Sequence, residues 1–131
     1  MPPDNYESFV TEDNVWSQVI ADRSSTVGHP ALFLDRDGAI VEEVNYLHRP
    51  EDIVFIPGAI DVILKANQLE IPVVIVTNQA GIGRQYYDWP QFIEVQKKLL
   101  TVLFDEGASI DAVFACPHHI DARAPYFHKD H

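Results

Sequence analysis

Three short apolar runs, separated by two helical patterns, are the feature of this sequence that most restricts its fold. The runs cover residues 31–34, 71–76 and 110–115 and are typical of buried strands, with the first expected to be covered on both faces. Strands that alternate with helices along a chain pair in parallel through right-handed crossovers. The sequence therefore predicts an α/β, Rossmann-like parallel sheet with flanking helices, whose polar site lies at the carboxyl ends of the strands.

The two helical patterns have recognisable starts. Pro57 and Gly58 precede the first, and Asp88 is a favourable N-cap for the second, with Pro90 in its first turn. The apolar positions at helical spacing are Ile60, Ile63, Leu64 and Leu69 in the first helix, and Phe92, Val95, Leu99 and Leu103 in the second. Each pattern predicts a helix with one apolar face.

The segment before the first apolar run is more polar. Residues 1–30 are interpreted as an N-terminal extension outside the core, and residues 31–131 as the domain proper. Within the extension, Trp16, Val19 and Ile20 could share one face of a short helix. A chain of 131 residues is of a suitable length for one globular domain.

The charge balance limits the classes of partner. With 20 acidic and 9 basic residues, the formal net charge is −11, which opposes binding to nucleic acid or to anionic membranes. The sequence has one cysteine, Cys116, no signal-peptide pattern, and no apolar run of about 18 residues. We expect a cytoplasmic protein whose partner is a small anionic molecule, held by local positive charge or a metal.

Two carboxylates follow the first apolar run directly. Asp35 and Asp37 flank Arg36, so in extended geometry the aspartates project to one side and the arginine to the other. Two carboxylates in one small volume repel each other, and a divalent cation such as Mg²⁺ keeps both ionised. One carboxylate can attack phosphorus to form an aspartyl phosphate, while the other protonates the leaving oxygen and then activates water.

A plain turn is the alternative for this motif, because Asp-x-Asp-Gly also occurs in solvated loops and in calcium loops. A calcium loop of the EF-hand type needs an oxygen ligand where Ala39 stands and a glutamate where Tyr46 stands. The position directly after a buried strand favours the catalytic interpretation.

The second apolar run ends in a hydroxyl and two amides. Thr77, Asn78 and Gln79 are followed by Gly81 and Gly83. Such a segment can direct backbone N–H groups towards an anion. The alternative is structural, since threonine and asparagine also cap helices and glycines also form turns.

Together the two motifs resemble the first and second signature motifs of the haloacid dehalogenase superfamily. Residues 33–38 (Phe-Leu-Asp-Arg-Asp-Gly) match the first motif, and residues 74–84 match the second. More narrowly, the chain is similar to the heptose bisphosphate phosphatase and histidinol phosphatase branch. The segments that carry this similarity are Asn-Tyr-Leu-His at 45–48, Phe-Ile-Pro-Gly at 55–58 and Phe-Ala-Cys-Pro-His-His at 114–119.

The resemblance implies a role for each motif residue. Asp35 would be the nucleophile and Asp37 the general acid and base, with Mg²⁺ held by the Asp35 carboxylate and the Asp37 backbone carbonyl. Thr77 would bind the transferring phosphoryl group. The further substrate contacts implied by the two motifs and the loop after the first one are Asn78, Gln79, Glu43, Asn45 and Tyr46.

Two later motifs of the superfamily have no counterpart in this sequence. The family uses a lysine that steadies the nucleophile and an acidic residue that completes the metal site, and Lys129 lacks the Arg-Lys-Pro context of that lysine. We therefore interpret the chain as truncated before its third and fourth motifs. The sheet would then be incomplete, and the strand at residues 31–34 would be an exposed edge that can pair with another chain. Low activity is expected from the chain alone.

Relatives in this branch often carry a zinc-binding loop after the third strand. Cys116 and His118 would supply two ligands for a structural Zn²⁺, but the two later cysteines are absent here. We prefer the interpretation of Cys116 as a strand-end residue, with residues 118–131 as a loop over the mouth of the site.

The resulting hypothesis is a Mg²⁺-dependent phosphatase of carbohydrate metabolism that acts on a small phosphorylated metabolite. A heptose 1,7-bisphosphate is the favoured substrate, and histidinol phosphate is the first alternative. A nucleotide or a polynucleotide end is a further alternative, although the net charge of −11 opposes long nucleic acid. The rival hypothesis is a catalytically silent fragment or interaction module, which the missing lysine and acidic motifs favour.

Overall fold

In the computed structural model, the chain is described for residues 7–11, 14–20, 28 and 30–126. Its strands are β1 (Glu7–Val10), β2 (Trp16–Val19), β3 (Leu32–Leu34), β4 (Val73–Asn78) and β5 (Ala112–Cys116). They form one sheet in the order β1-β2-β5-β4-β3. The three predicted strands, β3, β4 and β5, are parallel, whereas β1 and β2 add an antiparallel hairpin. The α/β class is confirmed, and the unpredicted hairpin makes the sheet mixed.

The helices are α1 (Ala59–Gln68), α2 (Ala80–Gly83) and α3 (Trp89–Asp105), with a 3-10 turn at Pro50–Asp52. Helix α3 begins as predicted, because Asp88 accepts the Gln91 N–H at 2.9 Å and the Gln91 side chain accepts the Asp88 N–H at 3.0 Å. The four predicted apolar positions of α3 are all buried. In α1, Ile63 is buried as predicted, but Leu69 lies just beyond the helix and is exposed.

The helical prediction for the segment around Trp16 is wrong. This segment forms β2, which pairs with β5 from Trp16 opposite Ala115 to Val19 opposite Ala112. Trp16 is buried, and its ring meets the Phe92 ring of α3 edge to face at 5.0 Å. Trp16 therefore belongs to the core, contrary to the interpretation of this segment as lying outside it. The division of the chain at residue 30 stays a prediction.

One face of the sheet packs against the helices. Val73, Ile75 and Val113 are fully buried there, in one cluster with the buried residues of α1 and α3. The predicted burial of the first strand on both faces is wrong, because Phe33 of β3 is 65% exposed. Strand β3 is also the last strand of the sheet, as predicted for the first-motif strand.

Every helix in the described part of the chain is too short or too polar to cross a lipid bilayer.

Candidate active site

The carboxyl ends of the three parallel strands meet at one end of the sheet. Asp35 follows β3 directly, Thr77 and Asn78 end β4, and Cys116 ends β5. The Gln79 N–H donates to the Cys116 carbonyl oxygen at 2.7 Å, which joins the ends of β4 and β5. The two motifs therefore occupy neighbouring strand ends, where α/β folds commonly bind ligands.

A tight turn fixes the first motif. The Arg36 carbonyl accepts the N–H of Ile40 at 2.9 Å and that of Val41 at 3.1 Å, and the Gly38 N–H donates to the Val41 carbonyl at 2.8 Å. Gly38 has a φ of +85°, a conformation that favours a residue without Cβ. The turn leaves the Asp35 side chain exposed, with its Oδ1 accepting the Arg36 N–H at 2.8 Å.

Arg36 belongs to the candidate site, although the residue pattern did not indicate it. Its side chain was expected to point away from the aspartates, but Nε donates to Asp37 Oδ2 and Nη2 to Asp37 Oδ1, each at 3.1 Å. Arg36 is 1% exposed, and its guanidinium lies 5.5 Å from the centre of the Phe92 ring. One buried arginine thus holds both oxygens of the Asp37 carboxylate.

Gln79 connects the second motif with Asp37. Its Nε2 donates to Asp37 Oδ2 at 3.1 Å and to Thr77 Oγ1 at 3.0 Å. Its Oε1 accepts from the Tyr87 hydroxyl and, at 3.4 Å, from Arg36 Nη2. No motif or spacing pointed to Tyr87, which lies outside both motifs in the connection between α2 and α3. Both polar groups of the buried Gln79 amide therefore have partners within the protein.

A cavity of about 340 Å³ opens beside these residues. The predicted site residues that line it are Asp37, Glu43, Asn45, Tyr46, Asn78 and Gln79. Neither Asp35 nor Thr77 lines the cavity. Asp35 is exposed at the end of β3, and the Thr77 side chain is buried. The loop of residues 43–46 and the ends of both motifs thus surround one polar space.

Local contacts fix the conformation of Tyr46. Its φ of +57° is uncommon for a bulky residue. Its carbonyl accepts a hydrogen bond from His48 Nδ1 at 2.7 Å, and its hydroxyl accepts one from Arg84 Nη1 at 2.8 Å. Its ring packs on that of Tyr86, with ring centres 4.4 Å apart. Tyr46 is therefore held in place as one wall of the cavity.

The glycines of the second motif have a packing role. A Cβ at Gly81 would lie 2.1 Å from Tyr87 Cε1 and 2.9 Å from Tyr46 Cδ1, and one at Gly83 would lie 2.2 Å from the Pro117 carbonyl oxygen. A larger residue at either position would displace a cavity wall or the backbone after β5. The structural interpretation of these glycines has direct support, and their predicted contact with an anion stays a prediction.

Oxygen donors for a cation are present at the end of β3. The Asp35 carboxylate is exposed, and the Asp37 carbonyl accepts no hydrogen bond from the described residues. Over the same described residues, no group of three or more His, Cys, Asp or Glu side chains could hold a metal ion. One carboxylate and one carbonyl fit Mg²⁺, which binds few protein groups and retains several waters.

The loop after β5 is organised around Tyr126. The Tyr126 carbonyl accepts from His118 Nδ1 at 3.3 Å and from the His119 N–H at 3.2 Å, and its hydroxyl accepts from Trp89 Nε1 at 3.2 Å. The half-buried Cys116 is a free thiol. Cys116 is the last residue of β5, in agreement with the preferred interpretation of it as a strand-end residue. Structural Zn²⁺ at Cys116 and His118 stays the less favoured alternative.

This loop borders a second cavity of about 450 Å³. Arg123, Ala124 and Tyr126 line it, and Tyr87 lines both this cavity and the first one. The predicted covering of the mouth by residues 118–131 stays a prediction, because residues 127–131, including Lys129, lie outside the described residues.

No family model matches the chain, but individual proteins do. The chain is 42% identical over 122 residues to D-glycero-beta-D-manno-heptose-1,7-bisphosphate 7-phosphatase from Mesorhizobium japonicum. The matched residues make up 93% of this chain and 56% of that protein. It is 38% identical over 104 residues to the protein of the same name from Photorhabdus laumondii, and this match covers 79% of the chain and 55% of that protein. The chain thus spans about half the length of the curated relatives it matches.

Solved structures share the fold. A HAD-like phosphatase from Mesorhizobium loti has a TM-score of 0.85 at 39% identity, over 95% of this chain and 60% of that one. D,D-heptose 1,7-bisphosphate phosphatase from B. bronchiseptica, complexed with magnesium and phosphate, has a TM-score of 0.66 at 29% identity. That match covers 74% of this chain and 57% of the other.

In sequence and in fold, the chain is thus similar to haloacid dehalogenase-like phosphatases over the part of those proteins that it matches. The curated relatives in this comparison are named heptose 1,7-bisphosphate 7-phosphatases, the branch that the sequence resemblance predicted.

Proposed function

We propose that this chain carries the nucleophile-bearing half of a Mg²⁺-dependent phosphatase that hydrolyses a phosphomonoester of a small metabolite. The observation that carries the proposal is the Asp35–Asp37 pair, which follows β3 beside a polar cavity of about 340 Å³. The names of the relatives support a sugar bisphosphate as the substrate class, with a heptose 1,7-bisphosphate favoured over histidinol phosphate. A cytoplasmic location is part of the same proposal.

Asp35 is the nucleophile in this proposal. One oxygen of its exposed carboxylate attacks phosphorus, the ester P–O bond breaks, and Asp37 gives its proton to the leaving oxygen. Water then attacks the phosphorus of the aspartyl phosphate while Asp37 accepts one of its protons. Inorganic phosphate leaves, and the Asp35 carboxylate is regenerated. The two aspartates thus divide nucleophilic and acid–base work between them.

Asp35 and the Asp37 carbonyl would hold Mg²⁺ next to the reacting phosphoryl group. The ion would offset the negative charge of the phosphoryl oxygens when bound. In a chain with a net charge of −11, this local positive charge favours the approach of a bisphosphate. Asn78, Asn45 and Glu43 supply polar contacts for the remainder of the substrate.

The test is an assay of phosphate release from heptose 1,7-bisphosphate, other sugar bisphosphates and histidinol phosphate, with and without Mg²⁺. The wild-type chain is expected to prefer the heptose substrate and to need Mg²⁺. Asp35→Asn should fall to background, and Asp37→Asn should lose about a hundredfold or more. The matched control is Asp61→Asn in the first turn of α1, where the carboxylate is exposed.

The second candidate is a catalytically silent interaction module. The observation that favours it is the position of β3 at the edge of the sheet, with Phe33 exposed. An unpaired edge strand can add a strand from another chain. A folded wild-type chain that binds Mg²⁺ but releases no phosphate from any of these substrates would favour this candidate over the phosphatase.

A further inference from the structure

We infer that Tyr87 and Gln79 are positioning residues that fix the orientation of the Asp37 carboxylate. The inference rests on the proposed role of Asp37 as general acid and base. It assigns Gln79 to Asp37 rather than to substrate, and it gives a role to a tyrosine outside both motifs.

Tyr87 is buried between the cavity and the second motif. It is 7% exposed, and its ring stacks on that of His48, with ring centres 5.9 Å apart and an interplanar angle of 12°. Burial is the main cause that raises the pKa of Tyr87, against a smaller lowering effect of Arg36. The hydroxyl therefore keeps its proton and donates it to Gln79 Oε1.

This hydrogen bond, together with one from Arg36, determines which way the Gln79 amide faces. An amide has one acceptor atom and one donor group. The Tyr87 hydroxyl donates to the acceptor, and so does Nη2 of Arg36, which has no acceptor of its own. The donor group must then face the other way, where Asp37 Oδ2 and Thr77 Oγ1 accept its two N–H bonds. Tyr87 thus acts on Asp37 through one intervening side chain.

The Asp37 carboxylate is consequently held at several points. Arg36 contacts both of its oxygens, and Gln79 Nε2 adds a further hydrogen bond to Oδ2. A general acid must lie within hydrogen-bonding reach of the leaving oxygen, and small displacements of a reacting group reduce the rate strongly. Loss of this orientation should therefore reduce kcat. If Gln79 instead contacted the substrate, its replacement would raise KM.

The first test compares Tyr87→Phe with Tyr86→Phe. Tyr86 is the adjacent tyrosine, is 52% exposed and has no hydroxyl contact with this network. In Tyr87→Phe we expect kcat to fall about tenfold with KM changed less than about twofold, and in Tyr86→Phe we expect no change in kcat. Gln79→Glu, which keeps the acceptor but removes the donor, should reduce kcat at least as much.

The second test does not depend on turnover. In NMR spectra of the folded chain, the Gln79 side-chain amide protons should exchange slowly, because both are hydrogen bonded and buried. Tyr87→Phe should abolish this protection, and Tyr86→Phe should preserve it. If wild type shows no phosphatase activity, the proposed function fails, and this exchange measurement alone decides the positioning role.

The inference requires the predicted exchange pattern and, where the chain is active, the predicted loss of kcat. Protected Gln79 protons in Tyr87→Phe would overturn it. So would an unprotected wild-type amide, an unchanged kcat, or an effect confined to KM.

Discussion

Tyr87 couples the chemistry of the site to the stability of the fold. Its hydroxyl is buried, and burial raises its pKa above the ordinary value of about 10. A group whose pKa is higher in the folded state binds its proton more tightly there than in the unfolded chain. Its contribution to stability is complete below about pH 10 and is lost as the pH rises above that value towards the folded-state pKa.

The free energy of unfolding should therefore fall as the pH is raised above about 10, with Tyr87 as one source. Denaturant titrations at each pH measure this slope. Tyr87→Phe should have a shallower slope than wild type, because it has no hydroxyl to ionise. Tyr86→Phe should retain the wild-type slope, and equal slopes in all three proteins would contradict the assignment.

The side-chain direction of Arg36 could not be predicted from the sequence. The motif predicted two neighbouring carboxylates, and alternation in an extended chain predicted that Arg36 points away. The turn at Gly38 ends the extended geometry, and the long side chain of Arg36 folds back between Asp37, Gln79 and Phe92. Two of these three partners come from distant parts of the chain, so residue spacing could not identify them.

Among the helices and strands, local sequence signals were sufficient to predict α3 but not to predict β2. Asp88 starts α3 with a capping box that is encoded within four residues. In β2, by contrast, Gln18 is buried and Val19 is 45% exposed. The side chains therefore contradict the usual apolar-in and polar-out alternation of a strand. Pairing with β5, far along the chain, determines the structure of this segment.

The contribution of the hairpin to the core can be measured by truncating Trp16. Trp16→Ala should lower the free energy of unfolding by about 3–5 kcal/mol, because it leaves a cavity against Phe92. Urea denaturation followed by circular dichroism measures the loss. Val19→Ala is the matched control on the same strand, and its loss should be much smaller. Similar small losses for both variants would mean that the hairpin does not stabilise the core.

At the scale of the whole molecule, the sheet has an apolar face without helices over it among the described residues. Phe33, Val76 and Phe114 are exposed there, and β3 forms the adjacent edge. These side chains share a face because Phe33 is opposite Val74 and Val76 is opposite Phe114. Apolar patches of this kind and unpaired strand edges favour association. The relatives extend well beyond the matched region, with 56% of one and 55% of another covered.

The isolated chain should therefore self-associate in a concentration-dependent manner. Sedimentation velocity should show larger species for wild type, and the double variant Phe33→Lys/Val76→Lys should shift the distribution towards the monomer. Val62→Lys is the control, because Val62 is also exposed but lies on α1. A wild-type chain that remains monomeric at all concentrations would show that the exposed face does not drive association.

In the proposed mechanism, Asp35 forms a covalent bond to phosphorus, and acid quenching during turnover should trap this aspartyl phosphate. The quenched protein is digested, and the peptides are analysed by mass spectrometry. With the heptose bisphosphate and Mg²⁺, we predict one added phosphoryl group on the Asp35 peptide of wild type, and no adduct and no turnover in Asp35→Asn. Phosphate release that persists in Asp35→Asn, without an adduct on the wild-type peptide, would contradict the claim.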